Sequence, residues 1–400
     1  MSNLMKRRAV VIIPTYNEKD NIVVTVGKLL EVFKEISTWN MEILVVDDTS
    51  PDKTYEVVKE LQKKLPNLHL LVNKKKSGLG GAYLAGMARA FGDLKADLVF
   101  EFDADLSHDP TKIPAFLQAI DSGSDMVLGS RYIAGGGIPK DWGAHRKFLS
   151  VFGNLVIMSV LTRFSIRDWT TGFRAITKKV YDAVHPNLSS ERFSGYTFQI
   201  GFLYTAVKMG FKISEVPFVF VDRTHGQSKL GPEYIKNTLL FIFKVRLQEI
   251  FASRVFKFAV VGATGAIIQL SSLTLYRLIV PEFSYSFLTT FFVATFASIE
   301  TAIIANFFLN NMWTFADRQL EKGRKILKFI QFNLTSAGSL LIQLLIAALG
   351  EAIIGLRPLF TIPFVGFVVE SGLIFAVTGI LVGMVWNFFA YTTFIWKKKK

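Results

Sequence analysis

The sequence predicts an α/β domain built on a parallel sheet, followed by an all-α membrane domain of four transmembrane helices. Three observations carry that prediction. In the first 130 residues a short β-branched run, a polar loop and a helical apolar period recur four times, the rhythm of alternating strands and helices. After Arg254, apolar stretches at roughly 256–280, 286–312, 326–350 and 363–395 are each long enough to cross a bilayer. Lys and Arg crowd the segment before the first stretch, the loop Arg318–Lys328 and the tail Lys397–Lys400, while the other two loops hold only Arg277 and Arg357.

Composition agrees with that division. The 400 residues allow two or three domains, and we place boundaries at 1–230, 231–254 and 255–400. Half of the residues are hydrophobic, 37 are Phe, and the mean hydropathy of +0.35 is too apolar for an ordinary soluble enzyme. The net charge of +14 fits nucleic acid, anionic lipid or phosphorylated substrates. With no cysteine, disulfides and thiolate metal sites are excluded. The apolar run Ala9–Ile13 is too short for a signal peptide, so the first domain is expected on the cytoplasmic side.

Ala9–Ile13 reads as the first strand, stopped by Pro14-Thr15-Tyr16-Asn17-Glu18, and Asn21–Ser37 has helical spacing. Glu42–Val46 is the second strand and ends in Asp47-Asp48. A helix through Leu61, a strand at His69–Val72 and the loop Ser77-Gly78-Leu79-Gly80-Gly81 follow. That loop fits neither the dinucleotide fingerprint nor a P-loop, and reads as a tight turn or a close backbone approach. Asp97–Phe102 is the fourth strand and delivers Asp103 and Asp105 to its end.

Two carboxylates at positions i and i+2 of a strand leave the same face, and together they are costly to ionise unless a cation lies between them. Hard oxygen ligands suit Mg²⁺ or Mn²⁺, which are usually completed by substrate phosphates. In a parallel α/β sheet ligands bind beyond the carboxyl ends of the strands, where Pro14/Glu18, Asp47/Asp48 and Asp103/Asp105 all fall. A solvated turn is the alternative for any one of them.

Beyond Asp105, the strand Asp125–Leu128 leads to Gly129-Ser130-Arg131-Tyr132. Arg131 at a strand exit either neutralises phosphate or pairs with a surface acid. Arg146 and Ser150 share one helix face at the start of the apolar run Phe148–Leu161, which is short of a span and fits an interfacial helix. They either hold a lipid phosphate or snorkel at the interface. Asp168–Arg174 and Ser194–Gln199 are Gly/aromatic stretches that shape either a sugar pocket or ordinary turns. Strand Glu215–Val221 precedes a loop whose Arg223 and Lys229 could close over a diphosphate.

Six motifs in this order, Pro14-Thr15-Tyr16-Asn17-Glu18, Val46-Asp47-Asp48-x-Ser50-Pro51-Asp52, Asp103-Ala104-Asp105-Leu106-Ser107-His108, Gly129-Ser130-Arg131-Tyr132, Thr171-Gly172-Phe173-Arg174 and Arg223-x-x-Gly226-x-Ser228-Lys229, resemble the dolichol (polyprenol) phosphate mannose synthases. These are inverting family 2 glycosyltransferases with a GT-A fold. The resemblance implies that Pro14, Tyr16, Glu18, Val46 and Asp48 hold the nucleoside, and that Asp103, Ala104 and Asp105 meet the diphosphate and metal. It further implies Ser107 near the metal, Arg131, Arg223 and Lys229 on the donor phosphates, and Arg146 and Ser150 on the acceptor lipid phosphate. Asp105, Arg131 and Arg146 would be the catalytic set. Some members carry Gln at the position of Ser107, and Glu where this chain has Ile200-Gly201.

Pro232–Phe251 reads as a basic amphipathic helix lying on the membrane. The spans after it form an internal repeat. Lys257-Phe258 recurs as Lys328-Phe329 at an offset of 71 (328 − 257), and Asn306-Phe307-Phe308 as Asn387-Phe388-Phe389 at an offset of 81 (387 − 306), so ten residues are inserted in the second pair. This part resembles the GtrA-like membrane domain, including Glu300, Asn306, Asn310 and Trp313-Thr314-Phe315. Glu300 inside a span is either functional or a helix–helix partner. By the positive-inside rule both termini and the catalytic domain face the cytoplasm. Topology and phosphate ligands then account for much of the charge, and nucleic acid is not required. The expected reaction is metal-dependent transfer of mannose from GDP-mannose to dolichyl or polyprenyl phosphate. The alternatives are a UDP-glucose-dependent glucosyltransferase and a lipid-linked sugar flippase with an accessory transferase domain.

Overall fold

The computed structural model describes residues 6–188, 196–222, 232–282, 284–285, 288–362 and 367–397. The chain separates into two compact units, residues 1–246 and 247–400.

The first unit alternates β1 (Arg7–Thr15), α1 (Lys19–Glu35), β2 (Trp39–Asp47), α2 (Thr54–Gln62), β3 (Leu68–Val72), α3 (Gly78–Gly92), β4 (Leu98–Glu101), α4 (Ile113–Asp121) and β5 (Met126–Ser130). Then come α5 (Ala144–Leu161), β6 (Arg174–Thr177), α6 (Lys178–Val184), α7 (Tyr196–Lys208), β7 (Ile213–Pro217) and α8 (Pro232–Ala252), the helix in which the division between the units falls. The seven strands form one sheet of order β3-β2-β1-β4-β6-β5-β7.

Strand alternation sorts the core into two layers. Val10, Ile12, Leu44 and Val46 point to the layer of α3, α5, α6 and α7, where Ile242 of α8 is also buried. Ala9, Val11, Ile13, Ile43 and Val45 point to the layer of α1, α2 and α4. Burying one large apolar side chain contributes roughly 1.5–3 kcal/mol, so this two-sided packing is what holds the sheet together. Gly86 lets α3 lie close on it: a Cβ there would come within 2.6 Å of Ile12 and 3.0 Å of Val46.

The sheet is mixed, whereas the sequence pattern predicts a parallel one. β6 runs antiparallel to both β4 and β5, with Arg174 opposite Glu101 and Leu128. The chain leaves β5 at the carboxyl edge and re-enters the sheet at that same edge through β6, with no crossover to turn it round. The fourth predicted strand also stops early. β4 ends at Glu101, so Asp103 and Asp105 lie in the following turn and strand alternation does not set their directions.

Among the described residues the second unit holds four helices long and apolar enough to cross a membrane, spanning Arg254–Ile279, Val293–Thr314, Lys325–Ile354 and Ser371–Ile395. They comprise α9 (Arg254–Ile279), β8 (Ser284–Tyr285), β9 (Leu288–Thr289), α10 (Thr290–Leu309), α11 (Lys325–Ile354), β10 (Pro358–Ile362), β11 (Phe367–Glu370) and α12 (Ser371–Ala390) with their flanking turns. The two antiparallel hairpins, β8–β9 and β10–β11, depart from the all-α expectation.

The repeat is exact enough to be seen in single contacts. α10 and α12 both end in a π-helical turn, at Asn310–Thr314 and Tyr391–Ile395, 81 residues apart (391 − 310). Phe258 meets Phe388 at 5.4 Å, and their repeat mates Phe329 and Phe307 meet at 5.3 Å. Phe315 stacks on its own mate Trp396 at 4.6 Å and 6°. Such reciprocal contacts are what a two-fold interface requires. Of the ten inserted residues, four lengthen α11 (30 residues) relative to α9 (26 residues). The other six lie in the segment between α11 and α12, 16 residues long against 10 between α9 and α10.

Candidate active site

Three loops at the carboxyl edge of the sheet carry the strand-end motifs. Asn17, Thr49 and Leu106, one in each, adopt positive φ near +57° (58°, 56° and 59°). Non-glycine residues held there cost of order 1–3 kcal/mol each, a strain that persists only where the surroundings dictate it.

Pro14 lies in β1 opposite Val46 of β2. The Val46 side chain is fully buried in the core, so only its main chain can face a ligand. Tyr16 carries the Lys76 ammonium 3.7 Å above its ring. Glu18 precedes α1 and accepts a hydrogen bond from Asn21 Nδ2 (2.8 Å). Asp47 accepts from Thr15 Oγ1 (2.8 Å), Ser50 N (2.8 Å) and Ser50 Oγ (2.7 Å). Asp48 accepts from Asn73 Nδ2 (2.7 Å), Ser77 N (2.9 Å), Ser77 Oγ (2.8 Å) and Gly78 N (2.9 Å). Its carboxylate therefore ties the glycine loop to β2. Gly78, at φ +71°, opens α3 in the backbone conformation that only glycine adopts without strain.

Asp103 is held from several directions. Its main-chain N–H donates to His108 Nδ1 (3.1 Å), and Tyr83 OH donates to its Oδ1 (3.3 Å). The proton of His108 then lies on Nε2, 3.6 Å from Asp103 Oδ2. Burial pushes the His108 pKa down and keeps the ring neutral, stacked on Phe173 at 5.1 Å. Ala104 is fixed by Thr25 Oγ1, which donates to its carbonyl (2.6 Å). Asp105 Oδ1 accepts from Ser107 N (3.0 Å). Ser107 is itself buried, and it is its main-chain N–H that contacts Asp105.

No group of three or more His, Cys, Asp or Glu side chains gathers into a metal cage among the described residues. Asp103 keeps a carboxylate about one-third exposed, and two aspartates flanked by a fixed loop are the donor set expected for a hard cation completed by phosphates and water. The residues present fit Mg²⁺ or Mn²⁺.

Behind the aspartates lies a buried charge cluster. Arg174 donates to the carbonyls of Thr171 (2.9 Å), Gln199 (2.6 Å) and Trp169 (3.3 Å), and approaches Glu101 at 3.7 Å. Neither Glu101 oxygen has a hydrogen-bond partner, and burial, opposed by Arg174 and reinforced by Asp103, raises its pKa to about 7.

Two of the three arginines expected on phosphates, Arg131 and Arg146, pair with acids. Arg131 Nε and Nη2 grip Asp168 (2.7 Å each), and Nη2 also donates to Thr170 Oγ1 (2.7 Å). Asp168 is fully buried. This is the acid-pairing alternative for Arg131, with a core acid in place of a surface one. Arg146 Nη1 and Nη2 reach Asp222 (2.9 and 3.2 Å) while its guanidinium lies 3.8 Å from the Trp142 ring. Ser150 Oγ shares a 2.6 Å hydrogen bond with Tyr132 OH. Beside them α5 exposes Phe148, Leu149, Val151, Phe152 and Leu155, the face an interfacial helix needs. Arg223 and Lys229 lie outside the described residues, as do Ser194 and Gly195 of the Ser194–Gln199 stretch.

Residue-by-residue reading missed Asp168 and Thr170, and also Asn154, whose side chain accepts from Trp169 N (2.8 Å) and donates to Thr170 Oγ1 (3.2 Å). Asn154 did leave a signal. It is a lone amide in an apolar run, four residues past Ser150 and eight past Arg146 on the same helix face.

Residues 10–188 match the family described as glycosyl transferase family 2, and residues 257–396 match the GtrA/DPMS transmembrane domain. A dolichol-phosphate mannosyltransferase of Pyrococcus furiosus is 33% identical over 346 residues, covering 84% of this chain and 88% of that protein. A polyprenol monophosphomannose synthase of Mycolicibacterium smegmatis is 38% identical over 240 residues (60% of this chain, 86% of that one). An undecaprenyl-phosphate mannosyltransferase of Micrococcus luteus is 35% identical over 224 residues (56% and 88%). Fold and matches together define a membrane-embedded glycosyltransferase with a GT-A catalytic domain. The chain belongs to glycosyl transferase family 2, among the dolichol- and polyprenol-phosphate mannosyltransferases.

Proposed function

We propose that the protein transfers a mannosyl group, with inversion, from GDP-mannose to dolichyl or another polyprenyl phosphate, with its catalytic unit and both termini on the cytoplasmic side. The observation that supports this best is an unbroken run of contacts between the aspartate turn and the apolar-faced helix α5. It passes from Asp103 through His108 to Phe173, along the 168–171 loop to Arg131, and through Thr170 to Asn154. The names of the three relatives point the same way.

In this reading a phosphate oxygen of the acceptor attacks the anomeric carbon of the sugar. The new bond is from that carbon to the acceptor oxygen, the broken one is to the β-phosphate oxygen of GDP, and the product is a β-linked mannosyl phosphate lipid. The nucleophile is already anionic, so the protein needs no strong general base and works by positioning and charge neutralisation. Asp103 and Asp105 would hold the divalent cation, which when bound would supply Lewis-acid neutralisation of the departing diphosphate. Thr25, Tyr83 and His108 keep that turn in place. Pro14, Tyr16, Glu18, Asp48 and the main chain of Val46 receive the nucleoside, with Asp48 acting through the loop it anchors. Arg131, Arg223 and Lys229 are assigned to the donor phosphates, and Arg146 and Ser150 to the acceptor phosphate.

The test uses the full chain in lipid, labelled GDP-mannose or UDP-glucose, and a short-chain polyprenyl phosphate. Mannosyl lipid should form from GDP-mannose alone, stop on chelation and return with Mg²⁺ or Mn²⁺. Asp105→Asn should lower turnover by roughly 10²–10³-fold or more. Equal use of UDP-glucose would overturn the donor assignment, and turnover surviving chelation would overturn the metal.

A further inference from the structure

We infer that Asn154 is the positioning residue that registers the acceptor-binding half of α5 against the loop carrying Asp168 and Thr170, an inference that rests on reading Arg146 and Ser150 as the acceptor-phosphate pair. The buried residues of α5 are Asn154, Ile157, Met158 and Leu161. Apolar packing therefore fastens the second half of the helix, while nothing from Ala144 to Gly153 is buried. Arg146 and Ser150 lie on that first half, which polar contacts to Asp222 and Tyr132 hold in place of apolar burial, and Asn154 stands at the boundary.

An amide inside an apolar helix lowers helix propensity and must be fully hydrogen-bonded to be tolerated in the core. Asn154 meets that condition with three bonds of fixed direction. Its Nδ2 donates to the Ser150 carbonyl (3.1 Å) and to Thr170 Oγ1 (3.2 Å), and its Oδ1 accepts from Trp169 N (2.8 Å). Thr170 Oγ1 in turn accepts from Arg131 Nη2 (2.7 Å), and Tyr132, the next residue, shares the 2.6 Å bond with Ser150 Oγ. Apolar contacts alone would let α5 rotate or slide. One residue of slip is about 1.5 Å along the axis and turns Arg146 by roughly 100°. A misplacement of that size is enough to cost orders of magnitude in rate.

The experiment compares wild type, Asn154→Leu and Asn154→Asp as full-length proteins in lipid, with GDP-mannose and both short-chain and long-chain polyprenyl phosphates. Leu removes all three bonds, while Asp keeps the acceptor for Trp169 N and loses the two donations. Both variants should raise the acceptor KM at least tenfold and lower kcat. The donor KM and GDP affinity by calorimetry should stay within twofold of wild type. The rise should appear with both chain lengths, because it is the phosphate end that is registered. An acceptor KM within twofold of wild type overturns the inference, as does a rise confined to long chains. Parallel losses of donor and acceptor affinity mark a merely structural role and also overturn it. A wild type that transfers nothing to polyprenyl phosphate removes the underlying reading, and this inference with it.

Discussion

Arg131 and Arg146 make the same chemical pair in two different places. Each presents two guanidinium nitrogens to one aspartate, Arg131 to Asp168 and Arg146 to Asp222. The first pair is almost sealed, with side chains 10% and 0% exposed, and the second is open at 43% and 35%. A sealed pair has given up its hydration, so removing one member strands a charge in the core. An open pair is screened by water and exchanges partners cheaply. The edge proposed to take the donor is therefore preformed, as its saturated Asp47 and Asp48 also indicate. In the proposed reading Arg146 trades Asp222 for the acceptor phosphate.

The largest effect that follows is on Asp168. Asp168→Asn leaves the Arg131 charge buried against a neutral amide, and the expected loss is about 3–5 kcal/mol of stability in the catalytic unit. A denaturant melt followed by tryptophan fluorescence reads it, with Trp169 next in the chain as a local reporter. A loss below about 1 kcal/mol would mean that the two pairs are equivalent after all.

What could be read in the sequence, and what could not, divides along the same line. The strand-end acids and the glycine loop are local signals, and Asp47, Asp48, Asp103 and Asp105 do lie at the carboxyl edge. The repeat in the membrane unit was visible for the same reason, since identical residue types recur at fixed offsets. β6 was not visible. It is four residues long and begins with a charged arginine, and only the tertiary pairing of Arg174 with three carbonyls and the nearby Glu101 makes that residue a core side chain. The partner of Arg131 was hidden likewise, because Asp168 lies 37 residues further on in a stretch that reads as a turn. Long-range polar pairing leaves no periodicity, and so pattern reading gave Arg131 a phosphate without seeing the core acid that holds it.

A smaller effect is expected at Arg146. Arg146→Ala removes a half-exposed ion pair and the contact with Trp142, so stability should move by no more than about 1 kcal/mol. The acceptor KM should nonetheless rise roughly tenfold, equivalent to about 1.4 kcal/mol of lost phosphate binding. Steady-state kinetics in short-chain polyprenyl phosphate measure this, and an unchanged KM would favour simple snorkelling at the interface.

The smallest effect is the one that best separates the two arginines. If Asp222 occupies the guanidinium fork that an incoming phosphate needs, then the carboxylate competes with the substrate. Asp222→Asn keeps the shape and the hydrogen bond from Trp142 Nε1 (2.9 Å) but weakens the hold on Arg146. The acceptor KM should then fall two- to threefold, with stability within about 0.5 kcal/mol of wild type. The matching change at the sealed pair, Asp168→Asn, should not lower the acceptor KM, because the Arg131 guanidinium, only 10% exposed, is not among the groups assigned to the acceptor phosphate. A rise in acceptor KM for Asp222→Asn would show the reverse arrangement, in which Asp222 aims Arg146 at the phosphate as Asp168 fixes Arg131.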